Sequence, residues 1–243
     1  MLPIQSSLRA LGDTEKSIGA SRFFKTGKGE YGEGDIFLGI TVPNVRKIVK
    51  HHQNEMNLKK VLILLESKYH EERLAGILTL VIFADKKIYP IKQIAEFYIS
   101  QKQYINNWDL IDSSAPNIFG PYISDILTHD ERKKLIDESI KSSDLWTNRM
   151  IILASFYEIK KGNEKMTIYI VENILKQIQN HPSHSHDLIQ KACGWMLREI
   201  GKRIDMNILR GFLDIHKDIL PRTMLRYSLE HLPKEERDFY MGR

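Results

Sequence analysis

A single cysteine among 243 residues cannot close an internal disulfide or build a thiolate zinc cage. Eight prolines and fourteen glycines are too few for a fibrous or low-complexity chain. No apolar run reaches the ~20 residues that a membrane-spanning helix needs; the longest, LAGILTLVIFA at 74–84, reads as a buried helix. The opening MLPIQSSLRALGDTEK has no basic region followed by an apolar stretch, the mark of a secretory signal. Runs of alternating β-branched residues, the mark of a sheet, are missing too. These absences predict a soluble cytoplasmic protein, nucleoid-associated in a prokaryotic cell, with no membrane partner.

Apolar residues make up 42% of the chain, which excludes disorder. The formal charge is +5 and the pI is near 9.1, which favours a polyanionic partner. Nearly every segment carries helical periodicity. LKKVLILLESKY puts Leu58, Val61, Leu62 and Leu65 on one stripe, and DERKKLIDESI does the same with Leu135, Ile136 and Ile140. Pro43, Pro90, Pro116, Gly162, Pro182, Gly201, Pro221 and Pro233 punctuate the segments. The expected fold class is all-α, roughly a dozen helices in one domain spanning 1–243.

An internal repeat refines this. HEERLAGILTL, LWTNRMIILAS, DLIQKACGWML and RTMLRYSLEHL each place a cation early in an apolar helix: Arg73, Arg149, Lys191 and Arg226. With Asp112 in the interval, the separations are 39, 37, 42 and 35 residues. A period near 40 residues suggests a HEAT-like α-solenoid of stacked antiparallel helix pairs. Equivalent slots of stacked repeats align, so a concave basic face carrying these cations and one carboxylate is expected.

FFKTGKGEYGEGDIFLG, residues 23–39, departs from the pattern and holds five of the fourteen glycines. It predicts a flexible loop over about 25–41, either a surface connection or a backbone able to approach phosphate near Lys25 and Lys28. No Walker or dinucleotide-binding spacing accompanies it.

Three further places carry chemistry. In DLIQKACGWMLREIGKR, the apolar stripe is Ile189, Ala192, Cys193, Met196 and Ile200, and Trp195 shares the other face with Lys191, Arg198 and Lys202. Trp195 either projects from a basic surface or is covered by a neighbouring helix. Arg149 opens an apolar helix running through LWTNRMIILASFYEIKKG, either paired with a carboxylate such as Asp144 or poised to grip phosphate. In NNWDLIDSSAP, Trp108 and Asp112 lie one turn apart and flank a buried stripe of Ile111, Ala115 and Ile118. Of its two acids, either Asp109 faces the surface and Asp112 inward, or the reverse; the sequence leaves both assignments open. Pro116 is expected to kink or end that helix. The histidines of HPSHSH, with no acidic or thiol neighbour, read as a solvated turn rather than a metal site.

From the glycine loop through VPNVRK and NNWDLIDSSAP to DLIQKACGWMLREIGKR, the chain resembles the AlkD-like DNA alkylation repair glycosylases, which are HEAT-like solenoids. The resemblance implies excision of cationic N3- and N7-alkylated purines from duplex DNA, as a monomer without a cofactor, metal or obligate protein partner. It implies a catalytic Asp112 between two active-site tryptophans, Trp108 and Trp195, and no flipping of the base. Arg149 and Arg198, with Lys191, Lys202, Lys28 and Tyr31, make up the implied DNA-backbone-binding set. One departure stands out: the family usually shows Trp-x-Arg-Arg, and this chain has Trp146-Thr147-Asn148-Arg149. The alternative is a non-catalytic solenoid that binds DNA or a protein through the same surface.

Overall fold

The structure, a computed structural model, describes residues 1–179 and 181–242. Among these residues it is all-helical, with α-helices α1 to α15 and, in place of any sheet, one isolated bridge between Ile36 and Tyr69. The chain divides into two compact units, Met1–Ile118 and Phe119–Arg243.

The first unit holds α1 (Pro3–Arg9), α2 (Thr14–Phe23), α3 (Val42–His52), α4 (Leu58–Leu65), α5 (His70–Asp85), α6 (Ile91–Ser100) and most of α7 (Trp108–Pro121). Its axis is α5. Leu74, Ile77, Leu80 and Phe83 are buried, and α1, α3, α4 and α6 all pack against it. A helix covered on every side must find partners for the charges in its own first turn. Glu72 therefore accepts from Arg9 Nε, Gln5 Nε2 and Ser67 Oγ, each at 2.7 Å. Burial raises the pKa of this carboxyl, and those donors hold it below the ordinary range.

The neighbouring Glu71 anchors the glycine-rich connection. Its carboxylate accepts the backbone N–H groups of Leu38 (2.8 Å), Gly39 (2.8 Å) and Ile40 (3.1 Å). The connection is non-helical, as the sequence predicts, but its second half is fixed rather than flexible, with Asp35, Phe37 and Ile40 buried. Only glycine serves at position 39, where φ is +81° and an added Cβ would lie 2.1 Å from the Asp13 carbonyl oxygen.

The second unit holds α8 (His129–Lys141), α9 (Leu145–Ala154), α10 (Phe156–Lys160), α11 (Lys165–Gln177), α12 (Asp187–Arg203), α13 (Met206–His216), α14 (Arg222–Ser228) and α15 (Lys234–Met241). Here α12 is central and packs on α9, α13 and α14. Its Gly194 lets α14 close in, since a Cβ there would meet the Met224 carbonyl oxygen at 2.4 Å. Sequential pairing of helices, α4 with α5 in the first unit and α8 with α9 or α12 with α13 in the second, is the HEAT-like α-solenoid pattern.

Several expectations need correction. Helix α7 does not stop at Pro116 but runs on to Pro121. Burial of Ile111, Ala115, Ile118 and Phe119 around the proline outweighs its one missing ladder hydrogen bond. The helix expected over LWTNRMIILASFYEIKKG breaks at Ser155, whose hydroxyl donates to the Ile152 carbonyl and accepts from Thr167 Oγ1. The aligned cations do not share one exposed surface either: Arg73 and Arg149 are each only 5% exposed. A cation near the start of an apolar helix was drawn into the core by partners that the repeat alignment cannot show.

Gly39→Ala is expected to destabilise the first unit by at least about 2 kcal/mol, combining left-handed strain with the clash on Asp13. Urea unfolding of the two proteins measures this loss.

Candidate functional site

Trp108 and Asp112 lie where the helical wheel puts them. Ile111, Ala115 and Ile118 are fully buried, and the two flanking side chains are half-exposed on adjacent turns of α7. Of the two acids, the inward one is Asp109, buried, and Asp112 is the more accessible, which decides between the two assignments the sequence leaves open. The reason is a partner on α5, because Asp109 Oδ2 lies 2.8 Å from His70 Nε2. Behind α7, Tyr98 Oη and Ser114 Oγ bond at 2.8 Å. Burial first, and the nearby Asp112 charge in addition, keep the Tyr98 phenol protonated.

The Trp108 ring is fixed by aromatic neighbours. Phe24 stacks on it at 5.0 Å between centroids with an 11° interplanar angle, and Phe23 meets it edge-on at 5.8 Å. Phe23 is 65% exposed, an aromatic at the surface beside the tryptophan. Phe24 in turn stacks on Phe37 (4.8 Å), and Phe37 on His70 (4.5 Å). A column of rings thus descends from Trp108 to a buried histidine.

That histidine sits in an ionic cluster. His70 Nδ1 is 3.0 Å from Asp35 Oδ2, and its Nε2 is bound to Asp109. Asp35 also accepts from Arg73 Nη2 (2.6 Å) and Asn107 Nδ2 (3.2 Å), and Asn107 Oδ1 accepts the Trp108 backbone N–H (2.8 Å). Carboxylates on both ring nitrogens require both to carry protons, so His70 is an imidazolium. Burial works against that charge, but the bonds to Asp109 and Asp35 raise its pKa to about 9. The same cluster holds Asp35 below the ordinary carboxylate range despite its burial. Two cations and two anions balance within it. A pocket of about 200 Å³ opens beside it, lined by Phe24, Phe37, His70, Asp109, Leu74 and Lys16 among others.

In the second unit, the solvent side of α12 matches the wheel: Lys191, Trp195 and Arg198 are half-exposed, and Lys202 is exposed. Trp195 Nε1 donates to the buried Glu199 (3.2 Å), which also accepts from Arg198 Nη2 (2.9 Å) and Arg203 Nε (2.6 Å). Burial raises the pKa of Glu199, and Arg203, Arg198 and Trp195 bring it below the ordinary range. Arg198 reaches a second acid, Glu230. Lys191 pairs with Asp187 at 2.5 Å. Cys193 is a buried core thiol, its pKa pushed up to about 12 by burial.

Asp144 caps α9 by accepting from the N–H groups of Trp146 and Thr147. Arg149 Nη1 donates to the Leu188 carbonyl at 2.5 Å, tying α9 to the start of α12. Asn148, at the position where the resembled family carries an arginine, is fully buried. Its Nδ2 donates to the carbonyls of Ser142 (2.7 Å), Asp144 (3.0 Å) and Ser139 (3.2 Å), clamping the α8–α9 turn. At this position the departure from the resembled pattern thus has a packing role within the second unit.

Lys28 lies on the exposed glycine loop, and Tyr31 on the same loop is half-exposed. The histidine turn is ordered rather than solvated: His184 is fully buried with Nε2 on the Ile140 carbonyl (2.9 Å), His181 stacks on it, and His186 caps α12. No cluster of three or more potential metal ligands occurs among the described residues.

Residues 4–232 match the family described as DNA alkylation repair enzyme, nearly the full chain. The chain belongs to the DNA alkylation repair enzyme family. A solved structure described as a predicted DNA alkylation repair enzyme from Enterococcus faecalis has a similar fold. Its TM-score is 0.68 at 17% identity, over 92% of this chain and 97% of that one. No curated protein matches the chain. Family membership makes DNA repair the role of this protein, and no helix among the described residues is long and apolar enough to cross a membrane.

Sequence reading missed the supports of this family member's Trp108: Phe24, Phe37, His70, Asp35 and Asn107. One signal was present. HEER opens a helix that is otherwise apolar all round, and charges at such a place need buried partners.

The raised His70 pKa fixes a direction for stability. Its contribution is complete below the unfolded value near 6.5 and is lost as pH rises through about 9. Melting temperatures between pH 6 and 10 are expected to fall along that interval.

Proposed function

We propose that the protein is a DNA glycosylase that hydrolyses the N-glycosidic bond of cationic N3- and N7-alkylated purines in duplex DNA. The observation that carries this reading is the half-exposed Asp112 carboxylate one turn from Trp108, whose ring is held rigid by Phe24. An alkylated purine bearing a positive charge leaves without protonation, so one carboxylate suffices where most glycosidases need two. As the C1′–N bond breaks, its electron pair neutralises the purine, and the deoxyribose becomes oxocarbenium-like. Asp112 stabilises that charge and orients the water that adds to C1′, and the water's proton passes to the carboxylate or solvent.

Trp108 and Trp195 are assigned as electron-rich faces toward the cationic sugar or base, each contributing on the order of 0.5–2 kcal/mol. Lys28, Lys191, Lys202 and Arg198 are assigned to phosphates, with Tyr31 donating to the same backbone; Arg149, buried and bonded to the Leu188 carbonyl, is assigned to hold the start of α12, which carries Lys191. Such contacts position the duplex without reading sequence. Chemistry on the sugar from the backbone side leaves the base stacked, which separates this reading from base-flipping enzymes. The enzyme acts as a monomer on basic surface of its own, without cofactor or metal.

Asp112→Asn is expected to abolish release of N7-methylguanine from a methylated duplex while changing duplex affinity less than about twofold. Free base measured by chromatography decides the matter: full release by the variant removes Asp112 from the chemistry, and binding without release by the wild type makes the protein a scaffold. Lys202→Ala is expected to weaken binding to duplexes of any sequence and to reduce the slope of log K against log salt by about 1. A salt titration by fluorescence anisotropy reads that slope.

A further inference from the structure

The buried cluster under Trp108 has no part in the chemistry just described, although its bonds converge on the segment that carries it. His70 alone contacts three structural pieces. Asp35 on its Nδ1 side belongs to the glycine-rich connection, Asp109 on its Nε2 side belongs to the first turn of α7, and the ring itself belongs to α5. The residues bracketing Trp108 in sequence are both tied in: Asn107 through Asp35 and the Trp108 N–H, Asp109 through His70. Phe24 touches both ends of the column, stacked on Trp108 at 5.0 Å and tilted against His70 at 5.1 Å.

We propose that His70 is a positioning residue for the Trp108–Asp112 turn, an imidazolium whose two opposed hydrogen bonds lock the start of α7 to the glycine-rich loop. The proposal rests on the catalytic reading of Asp112 and Trp108. Its chemistry is simple. A neutral imidazole has one N–H, so deprotonation turns one of the two bonds into a lone pair facing a carboxylate. Either Asp35 or Asp109 must then move, and each is bonded to the loop or the turn that frames Trp108. The charged groups around the ring are Asp35 from the loop, Asp109 from α7, Arg73 and Glu71 from α5, and Lys16 of α2 across the adjoining pocket. Arg73 also donates to several acceptors, Asp35 and the Ser67 carbonyl among them, but His70 is the group that links Asp35 to Asp109. The raised pKa places the switch near pH 9, so the lock is closed at neutral pH.

Fluorine NMR of protein labelled with 5-fluorotryptophan tests this without relying on activity. The three tryptophans are Trp108, Trp146 and Trp195, and a Trp108→Phe sample assigns the first. Between pH 7 and 10 the Trp108 resonance is expected to shift with the midpoint of the His70 ring proton, and His70→Gln should remove that step. In parallel, single-turnover release of N7-methylguanine by His70→Gln at pH 7.5 should fall at least about tenfold, as misplacement of a reacting group predicts, with duplex affinity within about twofold. The wild-type rate should step down at the same midpoint. A Trp108 resonance that stays flat while His70 titrates overturns the proposal, and so does a variant that releases base at the wild-type rate. If the glutamine variant fails to fold, the wild-type titration still decides. A coupled Trp108 signal in a protein that releases no base supports the positioning role and sinks the glycosylase reading instead.

Discussion

One imidazolium between two carboxylates organises the first unit. Each neighbouring structure is a consequence of keeping that charge where it is. Asp35 must be carried inward on the loop, which is possible because Glu71 grips the backbone of residues 38–40 and Gly39 turns the chain over Asp13. Asp109 must face α5, which rotates the opening turn of α7 so that Trp108 and Asp112 look outward. A buried ionic cluster of this kind is a weak source of net stability, because desolvation offsets much of its attraction. What it does supply is direction, since His70 sets Asp35 of the loop and Asp109 of α7 on opposite sides of one ring.

The two units treat their charges differently. Around His70 the ion pairs are buried, and the exposed residues near them include Phe23, Val42, Thr41 and Lys16. Along α12 the cations lie at or near the surface, and most already have an acid from the same unit beside them, as Lys191 has Asp187 and Arg198 has Glu199 and Glu230. Of the cations that stand out in the sequence, Arg73, Lys191 and Arg198 are ion-paired within the fold.

What the sequence revealed follows from the range of the forces involved. The faces of α7 and α12 were legible because a helical period is local, and Ile111, Ala115 and Ile118, or Ala192, Cys193 and Met196, are enough to orient each helix. The same reasoning found Trp108, Asp112 and Trp195 as residues off the buried stripe. It left the direction of Asp109 open and misplaced Arg73, because their partners lie 39 and 38 residues away and carry no periodic mark. At Pro116 it expected a kink or an end, and the end does not occur, since a local rule about helix ends yields where Ala115, Ile118 and Phe119 are buried. The buried Asn148 was visible as a departure from the resembled family, but only the carbonyls of Ser139, Ser142 and Asp144 explain it.

Arg198 is neutralised within its own chain by Glu199 and Glu230. Any anion that approached it from solution would have to compete with Glu230, the more exposed of the two acids, for the same guanidinium. The strength of that internal contact, rather than the sign of the side chain, therefore sets what a visitor must overcome there.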